Sequence, residues 1–470
     1  MVFSSIIFLC YFFPLFLISF YATGRSKYTV LLFSLLFYAW GEPFYVALMV
    51  ASILVNYCIG WAIEESRAAG DDRRWLICGI AFNLAPLVFF KYTHFIGSIL
   101  TATLRIPDPT ARFGEIALPL GISFYTFHAI SYLVDVYRRD VAAERRLVDL
   151  AVYISMFPQL IAGPIIRFKN IAKELHQPVV SFERTAQGTR WLLIGLGQKV
   201  LIANVLAVPA DAIFSLPPER LSAVDAWIGT ICYTLQIYYD FCGYSTMAVG
   251  LGLMIGLQFP WNFNYPYWST SVTEFWRRWH MTLSQWFRDY VYIPLGGNRG
   301  ARSKTYLNLL IVFLLCGIWH GAGWTFVVWG LLHGAFLMFE RAGFAETLKR
   351  MPLALCRAYT MLVVMLGWVL FRSGTFHQAL QHVRAMAGLG VPYEFGPPIS
   401  RFLHNDVLIA GTVAILASGP WLGSTMTVFG ERLAFGPLRV VSVGVLLSVL
   451  VLSLMSLAGG AYNPFIYFRF

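Results

Sequence analysis

Apolar runs approaching the ~20 residues that a helix needs to cross a ~30 Å hydrocarbon core recur along the whole of this chain. They constrain the fold more than any other feature. The 470 residues are 58% hydrophobic and only 13% charged, against roughly 25% charged in soluble chains, and the aromatic share of 17% exceeds the charged one. A mean hydropathy of +0.64 cannot be hidden inside one water-soluble surface. A soluble enzyme, a disordered chain and a collagen-like or coiled-coil rod are therefore excluded. The expectation is an all-α polytopic membrane protein, with 1–470 forming one integral-membrane domain.

Lys and Arg exceed Asp and Glu by 35 to 24, a net charge of +11. The excess sits between the apolar runs, where cytoplasmic loops of membrane proteins carry it. Basic and aromatic residues do not interleave as in single-strand binders, so nucleic acid is not an expected partner. The seven cysteines contain no C-x-x-C and lie mostly in apolar stretches. They read as small buried hydrophobes, and neither a disulfide framework nor a thiolate metal site is expected.

The loop charges order the crossings. Residues 2–22 have no basic residue before them and Arg25 and Lys27 after them, the reverse of a secretory signal, so they read as a retained first span with its N-terminus outside. Spans at 28–41 and 44–63 lead to Arg67, Arg73 and Arg74. Spans from Trp75 to Thr101 and at 119–137 lead to Arg138, Arg139, Arg145 and Arg146. Residues 147–166 are apolar but interrupted by Pro158, Gly163 and Pro164, with basic segments at both ends. A re-entrant segment is expected there, since irregular backbone survives at membrane depth only where protein or a wet cavity satisfies it. Further spans are expected near 191–213, 224–256, 305–341 (too long for one crossing), 353–371, 405–421 and 437–458. The total is about eleven to thirteen membrane segments.

Two windows carry candidate chemistry. In 271–304, Trp276, Trp279, Leu283, Trp286 and Tyr290 recur at spacings of three and four, which predicts one helix with an aromatic stripe lying in the membrane interface. His280 lies beside that stripe. Arg277, Arg278, Arg288, Arg299, Arg302 and Lys304 outnumber Glu274 and Asp289. These cations suit three roles: enforcing topology, binding anionic lipid headgroups, or receiving the phosphates of a charged donor at a cytoplasmic mouth. In the second window, a helix rising about 1.5 Å per residue carries His320 about 24 Å from Lys304, deep in the slab. An ionisable group there is either an interhelical hydrogen-bonder or a functional site. Gly317, Gly321 and Gly323 surround it, Trp319 and Trp324 flank it as walls, and His333 reads as a packing residue. Asp240, in an apolar aromatic run, suits either an arginine partner or a cavity lining. No His or carboxylate pair has metal-ligand spacing, and no G-x-S-x-G elbow or P-loop occurs. A basic mouth leading to a buried neutral imidazole suggests a tunnel for acyl transfer from an anionic donor to a hydroxyl. A transporter or flippase with a polar midplane is the reading from another class.

The paired motifs EFWRRWHMTLSQWFRDYVYIPLGGNRG and GIWHGAGWTFVVWGLLHG resemble the signatures of the membrane-bound O-acyltransferase (MBOAT) family. MVFSS, LPLGISFYTFHAISYLVDVYR, FPQLIAGPIIRF, YYDFCGYSTMAVGLGLMIG and YNPFIYFRF are similar to its bacterial alginate O-acetylase branch. The resemblance covers nearly the whole chain. It implies about eleven transmembrane helices with re-entrant and interfacial pieces around a central tunnel, in the bacterial inner membrane, with no bound cofactor. It also implies acetyl-CoA as donor substrate, His320 and His280 as the catalytic pair, and acetyl groups passed to a periplasmic acetyltransferase of the exopolysaccharide machinery. A teichoic-acid, lipid or protein hydroxyl is the alternative acceptor. Thr246 and His128 depart from the acids common in relatives at those positions, which weakens alginate itself as the polymer.

Overall fold

The computed structural model describes residues 2–114, 116–161, 163–421 and 437–466. Of the motif stretches, Met1, Ala162 and the last four residues of YNPFIYFRF lie outside them. The described chain is helical, with a single parallel bridge between Ser222 and Val391, and divides into two compact units.

One unit takes in the chain up to Leu192 together with Met247–Pro260. It contains α1 (Phe13–Ala22), α2 (Lys27–Gly41), α3 (Val46–Glu65), α4 (Asp72–Leu104), α5 (Ile122–Tyr137), α6 (Leu147–Ser155), α7 (Phe157–Leu160) and α8 (Phe168–His176). Membrane burial leaves no hydrophobic drive between helices, so packing and hydrogen bonds must join them. Phe157 serves the first role, with Phe12, Phe16 and Phe37 at 5.1–5.6 Å between ring centroids. Asn56 and Asn83 serve the second, exchanging reciprocal amide bonds of 3.0 and 2.7 Å between α3 and α4. The expected re-entrant segment is two short helices, nine and four residues long, broken at Met156 ahead of Pro158. Every residue from Asp149 to Ile161 is buried in protein. The backbone freed by the break is recaptured: Phe157 N–H donates to Ser34 Oγ at 3.1 Å, and the Gln159 amide donates to the Tyr153 carbonyl.

The second unit is Leu193–Thr246 with Trp261–Ile466. α9 (Phe182–Gly197) enters it and runs through a π turn into α10 (Asn204–Phe214), and most of α11 (Ala223–Met254) belongs to it. Then follow α12 (Val272–Arg278), α13 (Met281–Phe287), α14 (Arg302–His320), α15 (Trp324–Phe339), α16 (Ala345–Arg350), α17 (Leu353–Arg372), α18 (Phe376–Arg384), α19 (Asn405–Ala417) and α20 (Pro437–Ala458).

Among the described residues, six helices are long and apolar enough to cross a membrane: Val46–Ala69, Asp72–Leu104, Phe182–Phe214, Arg302–His320, Leu353–Arg372 and Val440–Ala458. The last is only 6% buried over its apolar window, so most of its surface is left for lipid. α5 and α15, each expected to be part of a crossing, have 16 residues. That is about 24 Å of rise, short of the ~30 Å hydrocarbon core.

The long apolar run 305–341 is divided at Gly321–Gly323, and its halves fold back as the α14–α15 hairpin. Two glycines make this hairpin possible. A Cβ on Gly317 would run into the Phe326 carbonyl oxygen, and one on Gly330 into that of Phe313. Both obstacles are backbone, so neither can swing aside. Gly317→Leu is expected to splay the hairpin and to lose most of the monodisperse, detergent-soluble protein in size-exclusion chromatography. Leu315→Val, at an exposed position of the same helix, is expected to keep it.

Candidate active site

The 271–304 window is not the single helix that its aromatic spacing predicts. α12 ends at Arg278, Trp279 is extended, and His280 has φ +42° and ψ 54°, in the left-handed region. A non-glycine residue there is strained and must be held from outside. The holding segment is Asn262–Asn264. Asn264 N–H donates to the Arg278 carbonyl at 3.0 Å, and Met281 N–H donates to the Asn262 carbonyl at 2.9 Å. The stripe residues Trp276, Trp279, Leu283 and Trp286 are at most 7% exposed. They pack in protein instead of anchoring an interfacial helix, which corrects the sequence expectation.

The start of α12 is fixed three times over. Ser271 Oγ accepts from Glu274 N–H at 3.0 Å, and Glu274 returns to accept from Thr270 N–H at 2.8 Å. The Ser271 cap is readable in the sequence as Ser-x-x-Glu, with the Glu274 carboxylate reaching one residue further back than in a capping box. Glu340, buried at the end of α15, accepts from the Val272 and Thr273 amides at 2.6 and 2.9 Å and from Tyr359 Oη–H at 3.2 Å. A carboxylate at a helix N-terminus satisfies donors that the helix cannot.

The corner between α12 and α13 and the end of α14 bring the two candidate histidines to one indole. The Trp319 ring lies 4.8 Å from His320 and 6.3 Å from His280. His320, the last residue of α14, is 2% exposed and meets Trp329 at 5.1 Å and Phe371 at 5.2 Å. His280 lies edge-on to Phe241 at 4.6 Å, and its Nδ1 faces Asn262 Oδ1 at 3.3 Å. Burial pushes the His280 imidazole down to about 3, so it is neutral at physiological pH. His333 is wedged 5.0 Å from both Trp276 and Trp329, in the packing role expected of it.

Other sequence candidates fall differently. Arg277 and Arg288 are exposed, but Arg288 pairs with Asp289 at 2.7 Å. Arg278 is tied to Glu274 at 2.8 Å and to the Asn264 carbonyl at 3.1 Å, so it braces the His280 corner. Trp324 is 59% exposed, while Trp329 and Phe371 meet the His320 ring at 5.1 and 5.2 Å. Asp240 pairs with a lysine rather than an arginine: Lys199 Nζ lies 2.5 Å from its Oδ1, with both side chains buried. Lys199 also donates to Asn204 Oδ1 at 2.7 Å and to the Pro464 carbonyl, while Asp240 Oδ2 accepts from Ile466 N–H at 2.8 Å.

In the first unit, His128 is buried in α5 against Tyr153 at 5.6 Å. Glu144, Asp149 and His176 bring potential metal ligands together there, but their atoms are engaged. The two ring nitrogens of His176 meet Glu144 and Asp149 at 3.1 and 3.0 Å, and Lys27 takes the other Asp149 oxygen at 2.6 Å. An ammonium already in place works against a metal cation.

The model of the MBOAT, membrane-bound O-acyltransferase family, matches residues 111–373, which include both His280 and His320. The chain belongs to this family. It is therefore an acyltransferase, built as a multi-pass membrane protein. It is 39% identical to the "Probable alginate O-acetylase AlgI" of Pseudomonas putida over 100% of both chains. It is 37% identical to the "Peptidoglycan O-acetyltransferase" of Helicobacter pylori over 78% of this chain and 75% of that one. To the "Teichoic acid D-alanyltransferase" of Bacillus subtilis it is 29% identical over 56% of this chain and 67% of that one.

Sequence reasoning missed the residues that orient this acyltransferase's candidate site, Asn262, Glu340, Trp329 and Phe371. Only the Ser271 cap carried a local signal. Asn262 and Glu340 act across 18 and 68 positions of sequence.

Proposed function

We propose that this acyltransferase moves acetyl groups from cytoplasmic acetyl-CoA toward an exported bacterial polysaccharide, handing them to a periplasmic acetyltransferase from the inner membrane. The observation that carries this reading is the pair of buried histidines that both meet the Trp319 ring, in a chain alignable end to end with an alginate O-acetylase. His320 is the general base. It takes the proton of the acceptor hydroxyl as that oxygen bonds the acetyl carbonyl carbon, and the carbon–sulfur bond breaks. The proton then passes to the departing thiolate, so the imidazole ends neutral. An imidazole can take a proton on one nitrogen and give it back, which both halves of that exchange require. Exposed Arg277, with Arg288 beside Asp289, supplies guanidinium groups for the donor phosphates.

The peptidoglycan O-acetyltransferase of Helicobacter pylori supports a wall polymer as second acceptor, also a hydroxyl-bearing glycan outside the cell. One experiment separates them. Acetyl esters are quantified by mass spectrometry on both exported polysaccharide and peptidoglycan from cells with and without the intact chain. Loss of esters from the exported polysaccharide alone is expected. Loss from peptidoglycan alone reassigns the acceptor, and no loss from either overturns the reading.

A further inference from the structure

Among the described residues, Asn262 is the polar side chain that meets the His280 ring. It makes three contacts: Thr282 Oγ1 at 2.6 Å and His280 Nδ1 at 3.3 Å on one end of the amide, and Ser245 Oγ at 3.1 Å on the other. The amide is placed with its oxygen toward Thr282 and His280 and its nitrogen toward Ser245, and the shorter, 2.6 Å separation suits an O–H···O bond while 3.1 Å is ordinary for an amide N–H to a hydroxyl. Carbonyl Oδ1 has two lone pairs and no proton, so it accepts from the Thr282 hydroxyl and from His280 Nδ1–H together.

We propose that Asn262 is a positioning residue that holds His280 in the tautomer protonated on Nδ1, so that Nε2 meets the substrate as a hydrogen-bond acceptor. Nε2 is buried and has no hydrogen-bond partner among the described residues. A bare imidazole nitrogen cannot donate, so the group it receives is an N–H or O–H of the bound substrates. The developing negative charge of the acyl oxygen lies elsewhere. The same Asn262 holds the corner through its backbone carbonyl, which takes Met281 N–H whatever side chain residue 262 carries. The tautomer stands on geometry alone, and its consequence for turnover rests on the reading of His280 as part of the acyl-transfer site.

The test uses the full chain in membranes. In ¹⁵N-histidine-labelled protein, the His280 signals, identified by their loss in His280→Gln, are expected to show a protonated Nδ1 and a bare Nε2. Asn262→Leu is expected to shift the population toward Nε2–H, and Asn262→Asp, which keeps an acceptor oxygen in place, to preserve Nδ1–H. With acetyl-CoA as the probe and released thiol as the readout, Asn262→Leu is expected to lower kcat about 10- to 100-fold, the usual range for a partner that orients an imidazole. The KM for acetyl-CoA stays unchanged, and Asn262→Asp recovers most of the rate. Nε2–H in the unsubstituted protein, or a tautomer indifferent to Asn262→Leu, overturns the proposal. So does a loss in which KM rises with the fall in kcat and aspartate gives no rescue, which marks a merely structural residue. If His280→Gln itself turns over normally while the tautomer is as stated, the placing of His280 in the chemistry fails and the tautomer assignment stands.

Discussion

His320→Ala is expected to reduce acetylation of the exported polymer by about 10²–10⁴-fold, the contribution of a positioned general base, while the protein still folds and inserts. The two halves of that expectation have separate physical grounds. The imidazole ends α14 against Trp319, Trp329 and Phe371, and with it goes the proton acceptor that the proposed chemistry uses. The hairpin that carries it is held by the backbone approach at Gly317 and Gly330 and by aromatic packing that does not need the ring. Alanine leaves a small void but no stranded charge. The check is mass spectrometry of polymer esters normalised to the amount of membrane-inserted protein. Full acetylation by the alanine variant would falsify the assignment of His320 as the base.

The second large effect is on stability. Asp240→Asn leaves the Lys199 ammonium without its counter-charge in a site where both side chains are buried. Losing one partner of such a pair costs about 3–5 kcal/mol, because the remaining charge is still desolvated. Lys199→Met strands the carboxylate in the same way. The cost extends to the terminal segment, since the Pro464 carbonyl and Ile466 N–H are bound by these two side chains. Thermal unfolding in detergent is expected to show a marked drop in Tm for each single variant and partial recovery for Lys199→Met with Asp240→Leu, in which no charge remains. A Tm unchanged by Asp240→Asn, or a double variant worse than either single one, contradicts the buried-pair account.

His320 was legible in the sequence because an ionisable residue inside an apolar run is rare at any depth of a membrane, whatever surrounds it. The break after it was legible too, since 305–341 is too long for one crossing and glycines cluster at 317–323. The break at His280 was not. The apolar spacing of three and four continues across it from Trp276 to Tyr290, so every local signal favours one helix. What ends that helix is Asn262–Asn264, whose backbone captures Arg278 and Met281. Asp240 reads from the sequence as an acid that needs either an arginine partner or a cavity to line. Its lysine lies on another element, and side-chain chemistry alone does not say which cation the packing brings within 2.5 Å.

Which solvent this chain lives in follows from its sequence alone. Transfer free energy is a sum over side chains, and a sum with this much apolar surface has one outcome in any fold. The same holds for the helical class, because apolar runs of about 20 residues match a spanning helix and are twice the length of a spanning strand. The tertiary structure decided which polar groups meet. It brought His280 and His320 to one indole, gave Lys199 to Asp240, and aimed Asn262 at one nitrogen of one ring. A hydrogen bond is made or lost within a few tenths of an ångström. Such precision between residues far apart in sequence arises only when the whole chain has packed.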